Sequence, residues 1–234
     1  MHNNITRRAL LSAAALLAVS PALAQSKPRI GVIGSGRIGG TLARHWANAG
    51  YRVMISARSL EEVQKLAAEI GHGVTAGTPQ QAAAFGDVVL ISVPFGALPQ
   101  VGKDNAAQLK GKIVLDTCNP YIGRDGDMAK EALEKGTGLV VPTYLPGVRL
   151  VRAFNQVSAA ALASEAHRSG EKIGVPLAGD DKQALETAQQ LVRDAGFDPV
   201  VVGGLSTAKS FDQGSPAYHT MTARELRAIL QIKS

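Results

Sequence analysis

The 234-residue chain holds one cysteine, Cys118, so no disulfide can form within it and the core must hold by packing alone. Aromatic residues are only 4% of the chain and no basic run alternates with them. That argues against a nucleic-acid surface, which for single strands stacks bases on aromatic rings. Charged residues amount to 19% against 45% hydrophobic, which is not the balance of a disordered chain. Outside the N-terminal segment the histidines are His45, His72, His167 and His219, and they show no metal-ligand spacing. The formal charge is +6 and drops by two without Arg7 and Arg8; a mild excess of this kind reads first as a solvated basic surface.

Met1–Ala24 reads as a targeting segment. Thr6-Arg7-Arg8-Ala9-Leu10-Leu11 has the form of a twin-arginine export signal. The apolar stretch Ala9–Val19 follows, and Ala22-Leu23-Ala24 is a small-x-small cleavage site before Gln25. The stretch is too short to span a bilayer, and no later apolar run approaches that length. The expectation is a periplasmic protein exported by the twin-arginine route, cut after Ala24, with one domain over residues 25–234 and no stable membrane insertion.

What the chain does contain is a glycine fingerprint in the right setting. The apolar run Ile30, Val32, Ile33 leads into Gly34-Ser35-Gly36-Arg37-Ile38-Gly39. A helical stripe then begins with Ile38, Leu42 and Trp46 four residues apart, and Gly50 follows as a C-terminal stop. Strand, glycine turn and helix in this order are what a dinucleotide site needs. Gly34 permits the tight turn, Gly36 lets the backbone approach a pyrophosphate, and Gly39 offers a small edge for helix–sheet packing. The free amides of the helix start would face the phosphates.

The remaining pattern alternates strand and helix. Strands are expected at Tyr51–Ser56, Gly73–Ala76, Asp87–Val93, Lys112–Asp116 and Val148–Phe154, the last nearer an edge because Arg149 and Arg152 alternate with its apolar residues. Leu60–Ile70 is helical, Thr78-Pro79 opens another helix, and Val175–Ala178, Lys182–Ala195 and Pro199–Val202 form one more β-α-β unit. Thr222 and Glu225 make a capping box for a terminal helix. The fold class is α/β: a Rossmann-type, doubly wound, mostly parallel sheet in three layers, with a small C-terminal β-α-β extension and a terminal helix.

The end of the second strand discriminates between dinucleotides. An Asp or Glu there would hold the ribose 2′-hydroxyl of NAD and repel a 2′-phosphate. The chain reads Ser56-Ala57-Arg58-Ser59 instead, and Glu61 and Glu62 already belong to the next helix. Arg58, with Ser56 and Ser59 as hydroxyl donors and Arg37 on the other side, suits NADP(H) through charge-assisted hydrogen bonds.

Gly34–Gly39, Ser56-Ala57-Arg58-Ser59, Ser92-Val93-Pro94-Phe95, Asp116-Thr117-Cys118-Asn119-Pro120 and Arg152-Ala153-Phe154-Asn155 fall in an order that resembles the coenzyme F420-dependent NADP oxidoreductase family. Gly179-Asp180-Asp181 and Gly196-Phe197-Asp198-Pro199 extend the likeness over nearly all the chain past the leader. The same domain is similar to the cytosolic part of the six-transmembrane ferric reductases. The resemblance implies that Gly34, Ser35, Gly36, Arg37 and Ile38 touch the pyrophosphate and that Arg58 and its serines take the 2′-phosphate. It places Val93, Pro94 and Asn119 along the path to the nicotinamide, and Ala153, Phe154 and Asn155 beside that ring. It also implies a flavin or coenzyme F420 as co-substrate and a homodimer. The family's common Gly-Ser-Arg at the second strand reads Ser56-Ala57-Arg58 here, so the central hydroxyl is missing.

Hydride transfer to a flavin-like ring asks mainly for two rings held face to face, so an apolar shelf is expected rather than a catalytic triad, with Phe95, Tyr121, Phe154 and Phe211 as its candidates. Asn119 and Asn155 either bond the ligand or serve as turn residues. His45 is expected on the outer helix face, Cys118 has no activating base, and Ser215–His219 has no catalytic arrangement in sequence. The leading expectation is an NADP(H)-dependent oxidoreductase acting on a small-molecule redox acceptor. The alternatives are an exported NADP-binding protein without turnover, or a small carbonyl or imine reductase with Tyr121 or Tyr218 as proton donor.

Overall fold

The computed structural model describes residues 27–232, and the leader read at Met1–Ala24 lies outside the described residues. Among these, eight strands form one sheet: β1 (Ile30–Ile33), β2 (Val53–Ser56), β3 (Thr75–Gly77), β4 (Val88–Ile91), β5 (Ile113–Asp116), β6 (Arg149–Arg152), β7 (Gly174–Gly179) and β8 (Asp198–Gly203). The α-helices are α1 (Arg37–Asn48), α2 (Leu60–Ile70), α3 (Pro79–Phe85), α4 (Leu98–Leu109), α5 (Ile122–Lys135), α6 (Thr137–Tyr144), α7 (Ala159–Ser164), α8 (Lys182–Asp194) and α9 (Ala223–Ile229). The order across the sheet is β3-β2-β1-β4-β5-β6-β7-β8. Strands β1 to β6 run parallel. β7 lies antiparallel to β6, and β8 parallel to β7. This is the expected Rossmann-type sheet, and β7-α8-β8 continues it.

The strands' period of two divides the core into two layers. Ile30, Val32, Val88 and Leu90 pack with Leu42 and Trp46 of α1, Val63 of α2 and Leu191 of α8 on one face. Ile33, Val89 and Ile91 pack with Ala83 of α3, Leu98 of α4 and Val141 of α6 on the other. Trp46 locks two helices of the first layer together, its indole N–H donating to the Leu191 carbonyl at 2.9 Å. The strand order reverses between β1 and β4, which opens a crevice at their carboxyl ends. Thr78 caps α3 with Pro79 in its first turn, as read, Gln81 completing a capping box there, and the box expected at Thr222 forms.

Two expectations fail for physical reasons. β6 is not near an edge: it pairs with β5 on one side and β7 on the other. Its Arg152 is fully buried, because Asp116 accepts from Nη1 at 2.7 Å and Asp212 lies 3.4 Å from Nη2. A charge in a strand signals exposure only when no opposite charge comes to meet it. His45 likewise is not on an open face. α7 covers it, its Nε2 donates to the Leu162 carbonyl at 2.7 Å, and its ring meets Phe197 edge-on at 6.3 Å.

Removing the guanidinium would leave two buried carboxylates unpaired. Arg152→Ala should lower the unfolding free energy by about 3–5 kcal/mol, as read from urea unfolding monitored by circular dichroism.

Candidate active site

After Ile33 the chain turns at Gly34 with φ 94°. A Cβ at that position would collide with the Ser92 carbonyl oxygen, so glycine is required. The turn hangs from β2: the Ser56 carbonyl accepts from the amides of both Gly34 and Ser35, each at 3.0 Å. The Ser56 hydroxyl donates to the Val32 carbonyl at 2.8 Å and is fully buried. These bonds occupy the amides of Gly34 and Ser35, leaving the helix-start amides that follow as the open donors. They also turn the Ser56 hydroxyl, expected at a 2′-phosphate, into the sheet, because strand ends must first satisfy their own buried polar groups.

The next amides differ. Those of Gly36, Arg37, Ile38 and Gly39 lie where helix geometry supplies no acceptor, and among the described residues none has a backbone partner. Gly36 caps α1 without a side chain, and the first turn of α1 holds no acid. By contrast, Ser59, Thr78, Ser158, Asp181 and Thr222 cap α2, α3, α7, α8 and α9. The positive end of α1 is thus left open at the switch point, as an anion site requires. Nothing lies within 4 Å of a Cβ built on Gly36, whereas one on Gly39 would collide with the Gly34 carbonyl oxygen. Gly39 serves the helix–strand contact and Gly36 leaves space for a ligand. The residues present therefore fit a diphosphate.

Two hollows meet at Gly36 and Arg37. The smaller, about 270 Å³, is lined by Ser35, Thr41 and Arg44 of the α1 start and Leu66 of α2. The larger, about 710 Å³, runs past the carboxyl ends of β4, β5 and β6 and is closed by Tyr218, His219 and Thr220 of the C-terminal tail. Arg58 is exposed at the β2–α2 turn and lines neither hollow. Beside it Ala57 packs on the core and Ser59 accepts from the Glu62 amide at 3.3 Å.

Val93, Pro94, Asn119, Phe154 and Asn155 all line the larger cavity, as does Ile38. Ala153 is fully buried and does not. Asn119 is tied at both ends of its amide: Nδ2 donates to the Asn155 carbonyl at 2.7 Å, and Oδ1 accepts from Arg152 at 2.9 Å. Asn155 donates to the Phe211 carbonyl at 3.1 Å. Asn119 thus joins the exits of β5 and β6, and Asn155 joins the exit of β6 to the tail, while both still line the cavity. Phe154 takes a φ of 58°, turning its ring into the core against Trp46 and Phe197 while its backbone crosses the cavity floor. Phe95 and Phe211 are fully buried in the core. Of the four aromatic residues expected to form a shelf, only Tyr121 shows an open ring, at 40% exposure.

Several cavity residues were not singled out from sequence: Thr117, Arg124, Gln156 and Thr220. Arg124 carried one usable signal, its place just after the fifth strand's exit. It donates to the Asn119 carbonyl at 2.8 Å and to Asp125, and its charge lies 5.0 Å from the centre of the Tyr121 ring. The Arg124 guanidinium holds the Asp125 carboxyl below its ordinary value. Cys118 touches the cavity but is no nucleophile, since burial, and after it the Asp116 carboxylate, pushes its thiol well above its ordinary value.

Because a side chain on Gly36 would meet only ligand space, Gly36→Val should keep the wild-type melting temperature. It should weaken NADPH binding at least tenfold by calorimetry, since an occluded anion site loses several charge-assisted hydrogen bonds.

Comparison with known proteins bears on the same stretch. The family described as NADP oxidoreductase, coenzyme F420-dependent, matches residues 29–120. The F420-dependent NADP reductase of Methanothermobacter thermautotrophicus is 28% identical over 212 residues, covering 84% of this chain and 90% of that protein. The metalloreductase STEAP3 of Rattus norvegicus is 27% identical over 190 residues, covering 79% of this chain. The match spans only 36% of the metalloreductase. Among solved structures, a hypothetical protein from Sinorhizobium meliloti superposes with a TM-score of 0.71 at 25% identity, covering 83% of this chain and 95% of that one. The open helix start at the switch point thus lies within residues 29–120, the stretch that is similar to the F420-dependent NADP oxidoreductase family.

Proposed function

We propose that the protein is an NADP(H)-dependent oxidoreductase that passes hydride between the nicotinamide and a small acceptor with a flavin-like or deazaflavin ring. The observation that carries this reading is the continuity between the open start of α1 and the cavity of about 710 Å³ at the carboxyl ends of β4, β5 and β6. A diphosphate at Gly36–Ile38 directs one end of a dinucleotide into that cavity. The bound cofactor supplies the hydride, so the chain's task is to place two rings and exclude water. Val93 and Pro94 form one wall, and the backbone from Phe154 to Ser158 forms the floor. Arg58 is free to reach a 2′-phosphate from the β2–α2 turn. We further propose that residues 1–24 direct export by the twin-arginine route.

Purified protein mixed with NADPH and either riboflavin or 5-deazariboflavin should consume the reduced nicotinamide, followed by its absorbance; no turnover with either would overturn the acceptor reading. Arg58→Ala should weaken NADPH binding about tenfold by calorimetry while leaving NADH affinity within twofold, because only the phosphorylated ribose gains a charge-assisted bond there. For export, the mass of protein recovered from the periplasm should correspond to a chain starting at Gln25. Arg7→Lys together with Arg8→Lys should hold the protein in the cytoplasm.

A further inference from the structure

Two tyrosines far apart in the chain meet at the cavity. The Tyr121 and Tyr218 hydroxyl oxygens lie 3.0 Å apart, and both residues line the cavity. Each is held from its own side. Tyr121 follows the exit of β5, where its amide donates to the Asp125 carboxylate at 2.9 Å and its ring carries Arg124. Tyr218 sits on two successive tail turns, with the Ser215 amide donating to the Asp212 carbonyl and the Tyr218 amide to the Ser215 carbonyl, each at 3.0 Å. Asp212 in turn accepts from Thr137 at 2.6 Å and lies beside buried Arg152. Tyr218 is half-buried and Tyr121 is open to solvent.

Resting on the proposed nicotinamide site, we propose a second activity: reduction of small aldehydes or ketones, with Tyr218 as proton donor and Tyr121 as its link to water. Hydride from the reduced nicotinamide would form the new C–H bond at the carbonyl carbon as the carbon–oxygen π bond breaks. The resulting alkoxide oxygen takes the proton from the Tyr218 hydroxyl. Tyr121 passes its proton to the Tyr218 phenolate, and water restores Tyr121. The sum is NADPH, one solvent proton and a carbonyl compound giving NADP+ and an alcohol. Burial, and next the hydrogen bond with Tyr121, push the Tyr218 hydroxyl above its ordinary value, so it remains a donor throughout the neutral range. An alkoxide is basic enough to take that proton, whereas a reduced flavin anion is not. The pair therefore matters for carbonyls and far less for flavin-like rings.

The test compares wild type with Tyr218→Phe and Tyr121→Phe, each first checked for wild-type melting and NADPH binding. The probe is 4-dimethylaminobenzaldehyde, whose absorption band moves to longer wavelength when its carbonyl oxygen accepts a strong hydrogen bond. Mixed with the NADP+-saturated protein, where no reduction can occur, it should show that shift with wild type and lose it with Tyr218→Phe. With NADPH, Tyr218→Phe should lower kcat for the aldehyde at least a hundredfold more than kcat for riboflavin, the scale expected of a general acid. Tyr121→Phe should fall between wild type and Tyr218→Phe. Equal losses with both acceptors, a band shift that survives in Tyr218→Phe, or a wild type that reduces riboflavin but not the aldehyde would each overturn this role alone. Failure to bind NADPH at all would instead overturn the oxidoreductase reading beneath it.

Discussion

A guanidinium buried beneath the cavity holds its walls in register. Arg152 closes β6, reaches Asp116 at the end of β5, steadies Asn119 on the exit from β5, and meets Asp212 of the tail. These three contacts join segments that share no neighbouring sequence. An ion cluster of this kind adds little net stability over an apolar core of equal volume, but leaving it half-built is costly. Its consequence here is positional: Asn119 is pinned to the Asn155 carbonyl, and the tail is brought back to the carboxyl ends of the parallel strands.

On the other side of the crevice the governing constraint is backbone satisfaction. Ser56 ties up the first two amides of the glycine turn and so directs the following amides outward. The chain therefore separates two jobs within one glycine motif: Gly34 and Gly39 shape the turn, while Gly36 with Arg37 and Ile38 presents donors. The start of α1 has neither a side-chain cap nor an acid in its first turn, and it lies at the strand-order reversal, where a bound anion would meet its open amides.

The parallel strands were legible because their side chains obey a period of two under helices that obey one near four, and both periods are local. The helix start at Thr78-Pro79 and the capping box at Thr222 were legible for the same reason. Arg152 misled because burial of a charge depends on partners 36 and 60 residues away. The antiparallel turn of β7 against β6 also had no local sign, since a strand's residues read alike in either direction. The aromatic shelf failed similarly: composition could nominate Phe95 and Phe211, but only packing decides which ring faces inward.

From residue order alone came the α/β class, the strand–glycine–helix unit and the absence of an acid at the tip of β2, all of which depend on spacing within a few turns of chain. Tertiary structure alone decided which amides remain open, that Asn119 and Asn155 brace the floor, and that Tyr121 meets Tyr218 across 97 residues. The division follows the range of the forces. Backbone conformation and hydrophobic period are set by near neighbours. Whether a buried polar group is free or occupied depends on whatever the fold brings to it.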